Sequence, residues 1–274
     1  MAWSRRNVFV TICATGFGLI VLMALLAPFL GLADPKQIDF AAKLLRPSST
    51  HWFGTDGLGR DIFSGVVHGA RVSLLVAFGV VFIAAAIGIP IGLVSGYAGG
   101  WVDTFFMRIS DVFLAFPPLL LPITLSALLG PGLFNATCAV AISWFPWYAR
   151  LIRSTVLTVK SELYIQSARA IGTNPFSIAM HHVLPNSLSP VVVQASLDFG
   201  FAILTTASLS FIGMGAVPPT VEWGLMVASS RSVFLEYWWT AMFPGLAIFL
   251  TVFFANVVVD GVRDSLDPKL RGAP

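Results

Sequence analysis

Five stretches of the chain carry no Asp, Glu, Lys or Arg for long enough to matter to a membrane: residues 7–33, 72–102, 112–149, 199–221 and 237–259. A hydrocarbon core about 30 Å thick needs about 20 apolar residues in a helix, and each stretch supplies them. The third is about 38 residues, roughly 57 Å as a helix, which is too long for one crossing. It must fold back, and Gly130-Pro131-Gly132 offers the turn. The pattern therefore predicts six spans, at 8–30, 72–97, 112–130, 134–150, 190–213 and 238–259.

Composition agrees. Among 274 residues, 57% are hydrophobic and 11% charged, where a soluble domain carries about 25% charged residues to face water. The chain reads as an all-α integral membrane protein. The net charge of +3 is modest, and nucleic acid is not an expected partner. Cys13 and Cys138 both lie inside apolar runs and read as small buried hydrophobes. Gly31-Leu32-Ala33 resembles a cleavage site, but the preceding apolar run exceeds the 7–15 residues of a signal core, so it is kept as a span.

An even number of spans puts both termini on one side. Cytoplasmic ends place Arg5, Arg6, Arg108, Arg150, Arg153, Lys160, Arg169, Arg263, Lys269 and Arg271 inside, ten of the 16 Lys and Arg residues, as the positive-inside rule prefers. Two polar features remain: an outer loop over 31–71 and a cytoplasmic loop over 151–188. The chain divides into a first span with its outer loop, 1–60, and a core, 61–274.

The cytoplasmic loop reads as a helical hairpin. Residues 161–171 hold good helix formers, with Leu163, Ile165, Ala168, Ala170 and Ile171 on overlapping faces. Gly172 suits the position after a helix end; Thr173 or Asn174 suits a cap, and Pro175 a first helical turn. The second helix is expected to end near His182, with Leu184-Pro185-Asn186 breaking it. Tied to spans at both ends, the hairpin reads either as a docking surface for a soluble partner or as a plain connection.

The spacing Gln166-Ser167-Ala168, three residues, Gly172, nine residues, His182, Val183, Leu184-Pro185 resembles the EAA loop of bacterial ABC importer permeases. Gln166, Ser167 and His182 depart from that pattern's Glu, Ala and Ile. Further along the chain, Gly54-Thr55-Asp56-Gly57-Leu58-Gly59-Arg60-Asp61 with Gly69-Ala70-Arg71-Val72-Ser73-Leu74 is similar to a signature of the second permease subunit of dipeptide, oligopeptide and nickel importers (DppC/OppC/NikC-type). So are Gly96-Tyr97, Gly99-Gly100, Asp103, Arg108, Asp111, the run 209–215, Pro218-Pro219 and Glu222-Trp223-Gly224.

The resemblance implies a type I ABC importer permease fold in the bacterial cytoplasmic membrane. It implies a second, homologous permease, two cytosolic ATP-binding subunits that hold ATP and Mg, and an extracytoplasmic binding protein that delivers di- or oligopeptides, or nickel. Tyr164, Gln166, Ser167, Ala168, Gly172, Pro175, His182, Leu184 and Pro185 are then the residues expected to couple this chain to the ATPases. Alternating access is the implied mechanism. No lysine follows a glycine, so the chain has no Walker A loop of its own, and no nucleophile is arranged with a base. No catalytic residue, cofactor or metal site is expected.

Three further features carry open readings. The outer signature, Gly54, Thr55, Asp56, Gly59, Arg60 and Asp61, either contacts a partner or holds its own loop together, with Asp61 capping a short interfacial helix. Gly88, Gly92 and Gly96 recur every four residues and suit close helix packing; Arg108 and Asp111 are spaced to pair. Asp198 is the one acidic residue inside a predicted span. Ionised there, it costs at least about 2.5–3.5 kcal/mol unless it meets water or a partner. It is a candidate for the translocation path or for a helix-to-helix hydrogen bond. Asp198 and Trp147-Tyr148-Ala149-Arg150 are compatible with a nickel-type relative, and a proton-coupled secondary transporter using Asp198 is a distant alternative.

Overall fold

A computed structural model describes residues 2–266; Lys269 and Arg271, counted above for orientation, lie outside the described residues. The described chain is mostly helical, with a single isolated bridge between Thr55 and Asp61. The helices are α1 (Ala2–Leu26), α2 (Ile62–Ala98), α3 (Gly100–Leu114), α4 (Leu120–Leu129), α5 (Leu133–Val159), α6 (Leu163–Ala170), α7 (Pro175–Ser177), α8 (Leu184–Ser187), α9 (Ser189–Phe211), α10 (Trp223–Ser229) and α11 (Trp239–Leu266).

Four segments are long and apolar enough to cross a membrane: Val8–Phe29, Ile62–Ala98, Ser189–Phe211 and Trp239–Gly261. The second differs from expectation. Asp61 does cap a helix, its Oδ1 accepting from Ser64 N at 2.8 Å, but that helix is α2 itself, 37 residues without interruption. Residues 62–71 contain no proline, and the helix runs through Gly65 and Gly69 into the predicted span.

The predicted third span is two helices. Pro117 and Pro118 supply no N–H to the turn before them, so α3 ends at Leu114 and α4 starts at Leu120. The Gly130-Pro131-Gly132 turn follows, and α5 runs back alongside α2.

The α2–α5 pair forms the spine. A Cβ on Gly88 would lie 2.6 Å from the Phe145 carbonyl, one on Gly92 2.3 Å from that of Ala149, and one on Gly96 3.0 Å from that of Arg153. The four-residue glycine repeat therefore serves packing within this chain. At the foot of the pair, Tyr148, Ile152, Val156, Ile165, Ile178 and Val183 are buried together. Burying each such aliphatic side chain contributes about 1.5–3 kcal/mol. Near the other end, Trp223 is buried against Ala24 and Ala70 and donates its indole N–H to the Val66 carbonyl at 2.9 Å.

Candidate functional site: the helical hairpin and the spans it joins

The hairpin begins where α5 ends. Lys160 anchors that end, its Nζ donating to the Gly96 carbonyl at 2.9 Å and the Tyr97 carbonyl at 3.3 Å. A cation there also suits the partial negative charge at the C-terminus of α2. Beside it, Arg153 clasps both carboxylate oxygens of Asp103 at 2.5 Å, and Ser95 donates to the same carboxylate. The Arg153 guanidinium holds the Asp103 carboxyl below its ordinary range.

Gly172 closes α6 through two backbone bonds: Gly172 N to the Arg169 carbonyl at 3.0 Å and Thr173 N to the Ala168 carbonyl at 3.1 Å. These are the paired bonds of a Schellman end, and they need the left-handed conformation that Gly172 adopts, φ +80°. A Cβ there would meet open space, so glycine is required by the backbone and not by packing. Asn174 then caps α7, accepting from Phe176 N at 2.9 Å, with Pro175 in the first turn.

The second arm departs from expectation at Leu184-Pro185-Asn186, which does not break it. A π turn over Ile178–Val183 precedes these residues, and Leu184 N bonds the Ala179 carbonyl five residues back. The wider turn absorbs the N–H that Pro185 lacks. Leu188 stays in the helical region at φ −80°, ψ −25°, so the arm passes into α9 with a bend and no loop.

The hairpin has two faces. Ile165, Ile178 and Val183 are fully buried and Ala168 and Leu184 pack beside them. Facing out are Leu163, Tyr164, Ile171 and Phe176, at 78%, 46%, 82% and 72% exposure. Leu163 and Ile171, placed by sequence among overlapping apolar positions, thus point away from the core: two turns of helix bury one stripe only. Gln166 and Ser167 are exposed and bond locally, the amide to the Ser161 carbonyl at 2.9 Å and the hydroxyl to the Leu163 carbonyl at 3.0 Å. Pro175, His182 and Pro185 are exposed. The residues that match the EAA pattern build the hairpin, and the outward apolar residues are left exposed on its outer face. The signal for the latter was their hydrophobicity outside the buried stripe.

Asp198 lies half-buried on α9, accepting from Gln194 Nε2 at 2.8 Å. Facing it is the hydroxyl of fully buried Tyr148, for which no hydrogen bond of ordinary geometry forms. The pairing expected between Arg108 and Asp111 does not occur: Asp111 is bonded to Arg150 on α5, because α5 packs along the face of α3 that carries Asp111.

The outer signature turns its polar groups on itself. Buried Thr55 accepts from Leu45 N at 2.8 Å and donates to the Ala42 carbonyl at 2.5 Å. Asp56 accepts from Arg60 Nε at 2.7 Å, and Asp61 holds His51 Nδ1 at 2.8 Å. Gly54 is buried, and a Cβ on Gly59 would fall 1.7 Å from the Asp39 carbonyl. Next to this knot, Lys43, Asp56, Arg60, Thr220 and Ser232 help line a cleft of about 430 Å³. Sequence reading gave Glu222 no role of its own. It is buried, accepts from Gly224 N and Leu225 N at 2.8 and 2.9 Å as the cap of α10, and accepts from Ser73 Oγ at 3.3 Å.

A mainly helical, multi-span chain with a helical hairpin rooted in two of its long helices has the architecture of a membrane transport subunit. Residues 88–272 match the family of binding-protein-dependent transport system inner membrane components, and the chain belongs to it. It is 48% identical over 254 residues to the probable D,D-dipeptide transport system permease protein DdpC of Escherichia coli (strain K12), covering 93% of this chain and 85% of that one. It is 46% identical to the dipeptide transport system permease protein DppC of Alkalihalophilus pseudofirmus, covering 92% and 83%. Against the glutathione transport system permease protein GsiD of Pectobacterium atrosepticum the identity is 45%, covering 92% and 84%. Among solved structures, the inward-facing MetNI methionine ABC transporter aligns with a TM-score of 0.60 at 18% identity, over 75% of this chain and 98% of that one. The chain is a multi-pass inner-membrane permease of an ABC importer, not an enzyme, and it works with ATP-binding and substrate-binding partners.

Proposed function

We propose that this chain is one of two homologous permeases that together enclose a path for di- or oligopeptides across the bacterial cytoplasmic membrane. It crosses six times, the broken α3–α4 pair and α5 adding two crossings to the four long spans, with both termini in the cytoplasm. Two cytosolic subunits bind ATP and Mg, and an extracytoplasmic protein delivers the peptide beside the outer signature knot. Peptide is favoured over nickel by the relatives, which are dipeptide and glutathione permeases.

The observation that carries this reading is the build of the hairpin. Its inner face is welded to α5, its second arm continues into α9, and its outer face presents Leu163, Tyr164, Ile171 and Phe176. An ATPase that grips this surface and changes shape on binding ATP moves both spans, and differential contact in its two states biases the permease between inward and outward facing. Tyr164, Gln166, Ser167, Ala168, Gly172, Pro175, His182, Leu184 and Pro185 form the coupling element, and Asp198 between α5 and α9 is the candidate path residue. The test is co-purification. Phe176→Asp should deplete the ATPases from the complex while the partner permease remains bound; undiminished ATPase recovery and peptide uptake would refute the docking assignment.

A further inference from the structure

The break between α3 and α4 is solvent-facing in the isolated chain and, in the six-crossing topology proposed above, lies at membrane depth. α4 has ten residues, so the break sits about 15 Å below the Gly130 turn, half of a core about 30 Å thick. Ala115, Phe116, Pro117, Pro118 and Leu119 are all exposed. The carbonyls of Leu114, Ala115 and Phe116 receive no backbone hydrogen bond: Pro117 and Pro118 have no N–H, and Leu120 N turns to the Pro117 carbonyl instead. Open backbone of this kind is not tolerated against lipid, only where protein covers it or water reaches it.

A second, independent feature lies one turn away. The Asp111–Arg150 ion pair joins α3 to α5 and each side chain is 46% exposed. In the topology proposed above, Asp111 and Arg150 sit at the cytoplasmic ends of the third and fourth crossings, within reach of water. Phe113 meets Phe145 edge-on, ring centroids 5.1 Å apart, a second contact between the two helices, and Asp111 lies one turn from Ala115 at the end of α3.

The opened backbone excludes lipid, and together the two features offer a cation, an anion and three free acceptors. We propose that this face lines the aqueous translocation path and holds the charged termini of a peptide zwitterion in transit. The ammonium lies against Asp111 and the open carbonyls, the carboxylate against Arg150. The proposal rests on the peptide-importer reading above.

The test uses the complete transporter in proteoliposomes, with Cys13 and Cys138 replaced and Ala115→Cys introduced. A charged, membrane-impermeant thiol reagent should modify that cysteine, whereas Leu19→Cys on α1 should stay unmodified; an unreactive Ala115→Cys would mean the break is covered by protein and would overturn the proposal. In a second arm, Arg150→Gln should lower ATP-driven uptake of dialanine by about tenfold, as expected for loss of a charged hydrogen bond, with the complex still recovered intact. The exchanged pair Asp111→Arg with Arg150→Asp should not restore uptake. Restoration would show a structural staple and overturn the assignment. Failure of the parent transporter to take up dialanine at all would sink the importer reading instead, so the two failures are distinguishable.

Discussion

The carbonyl oxygen of Ala149 lies 2.3 Å from the point where a Cβ on Gly92 would sit. Helices α2 and α5 are therefore in backbone contact at this level, with Ile152 sealing the other side. Gly92→Ala forces the helices apart, and overpacking of this kind costs about 1–3 kcal/mol. The purified complex should melt several degrees lower, measured by thermal shift in detergent, while Gly57→Ala, where a Cβ meets open space, should change nothing.

At Gly172 the cost has a different origin. Gly172→Ala strains a left-handed backbone by about 1–2 kcal/mol without touching a neighbour. Gly172→Asn, a residue that enters this region more readily, should recover most of the loss. Coupling is the readout: transported peptide per ATP hydrolysed should fall in the order glycine, asparagine, alanine. Equal coupling in all three would detach the hairpin's shape from its role.

The Asp103–Arg153 clasp gives a pH prediction. The Asp103 carboxyl titrates below its ordinary value of 3.8 in the folded protein, chiefly through its hydrogen bond to Arg153. Such a group adds stability fully above its unfolded value, and that contribution is lost as pH falls through the lower folded value. Asp103→Asn should thus be less stable than the parent by a constant margin above about pH 5, the two converging as pH drops below about 4. Denaturation followed across that range checks it; a margin that widened in acid would contradict the assignment.

Asp198→Asn keeps the size of the side chain and its bond to Gln194 but removes the charge facing Tyr148. Uptake should fall while the assembled complex is recovered in normal amount. Unchanged uptake would remove Asp198 from the path.

Much of this was legible in the sequence because membrane burial and helix ends leave local marks. Charge-free length marks the four long spans, Gly172 and Asn174 mark the turn of the hairpin, and Asp61 marks a helix start, though the helix it opens is α2 and not the short interfacial one expected. What stayed hidden depends on which helices meet. Asp111 has a suitable partner three residues away in Arg108, yet Arg150, distant in sequence, takes it once α3 lies on α5. Pro185 signals a break by local rules, but the π turn before it is a tertiary accommodation that no short pattern announces. Leu163 and Ile171 share apolar periodicity with Ile165 and Ala168, and hydrophobicity alone does not tell which of them the chain buries.

The central claim is that the hairpin is a cytosolic handle gripped by separate ATPases, and a cysteine at Phe176 tests it directly. In sealed inverted vesicles bearing a chain without Cys13 and Cys138, Phe176→Cys should react with an impermeant maleimide once the ATPases are stripped. It should be protected when they rebind. Reaction only in right-side-out vesicles, or labelling that rebinding leaves unchanged, would contradict the account.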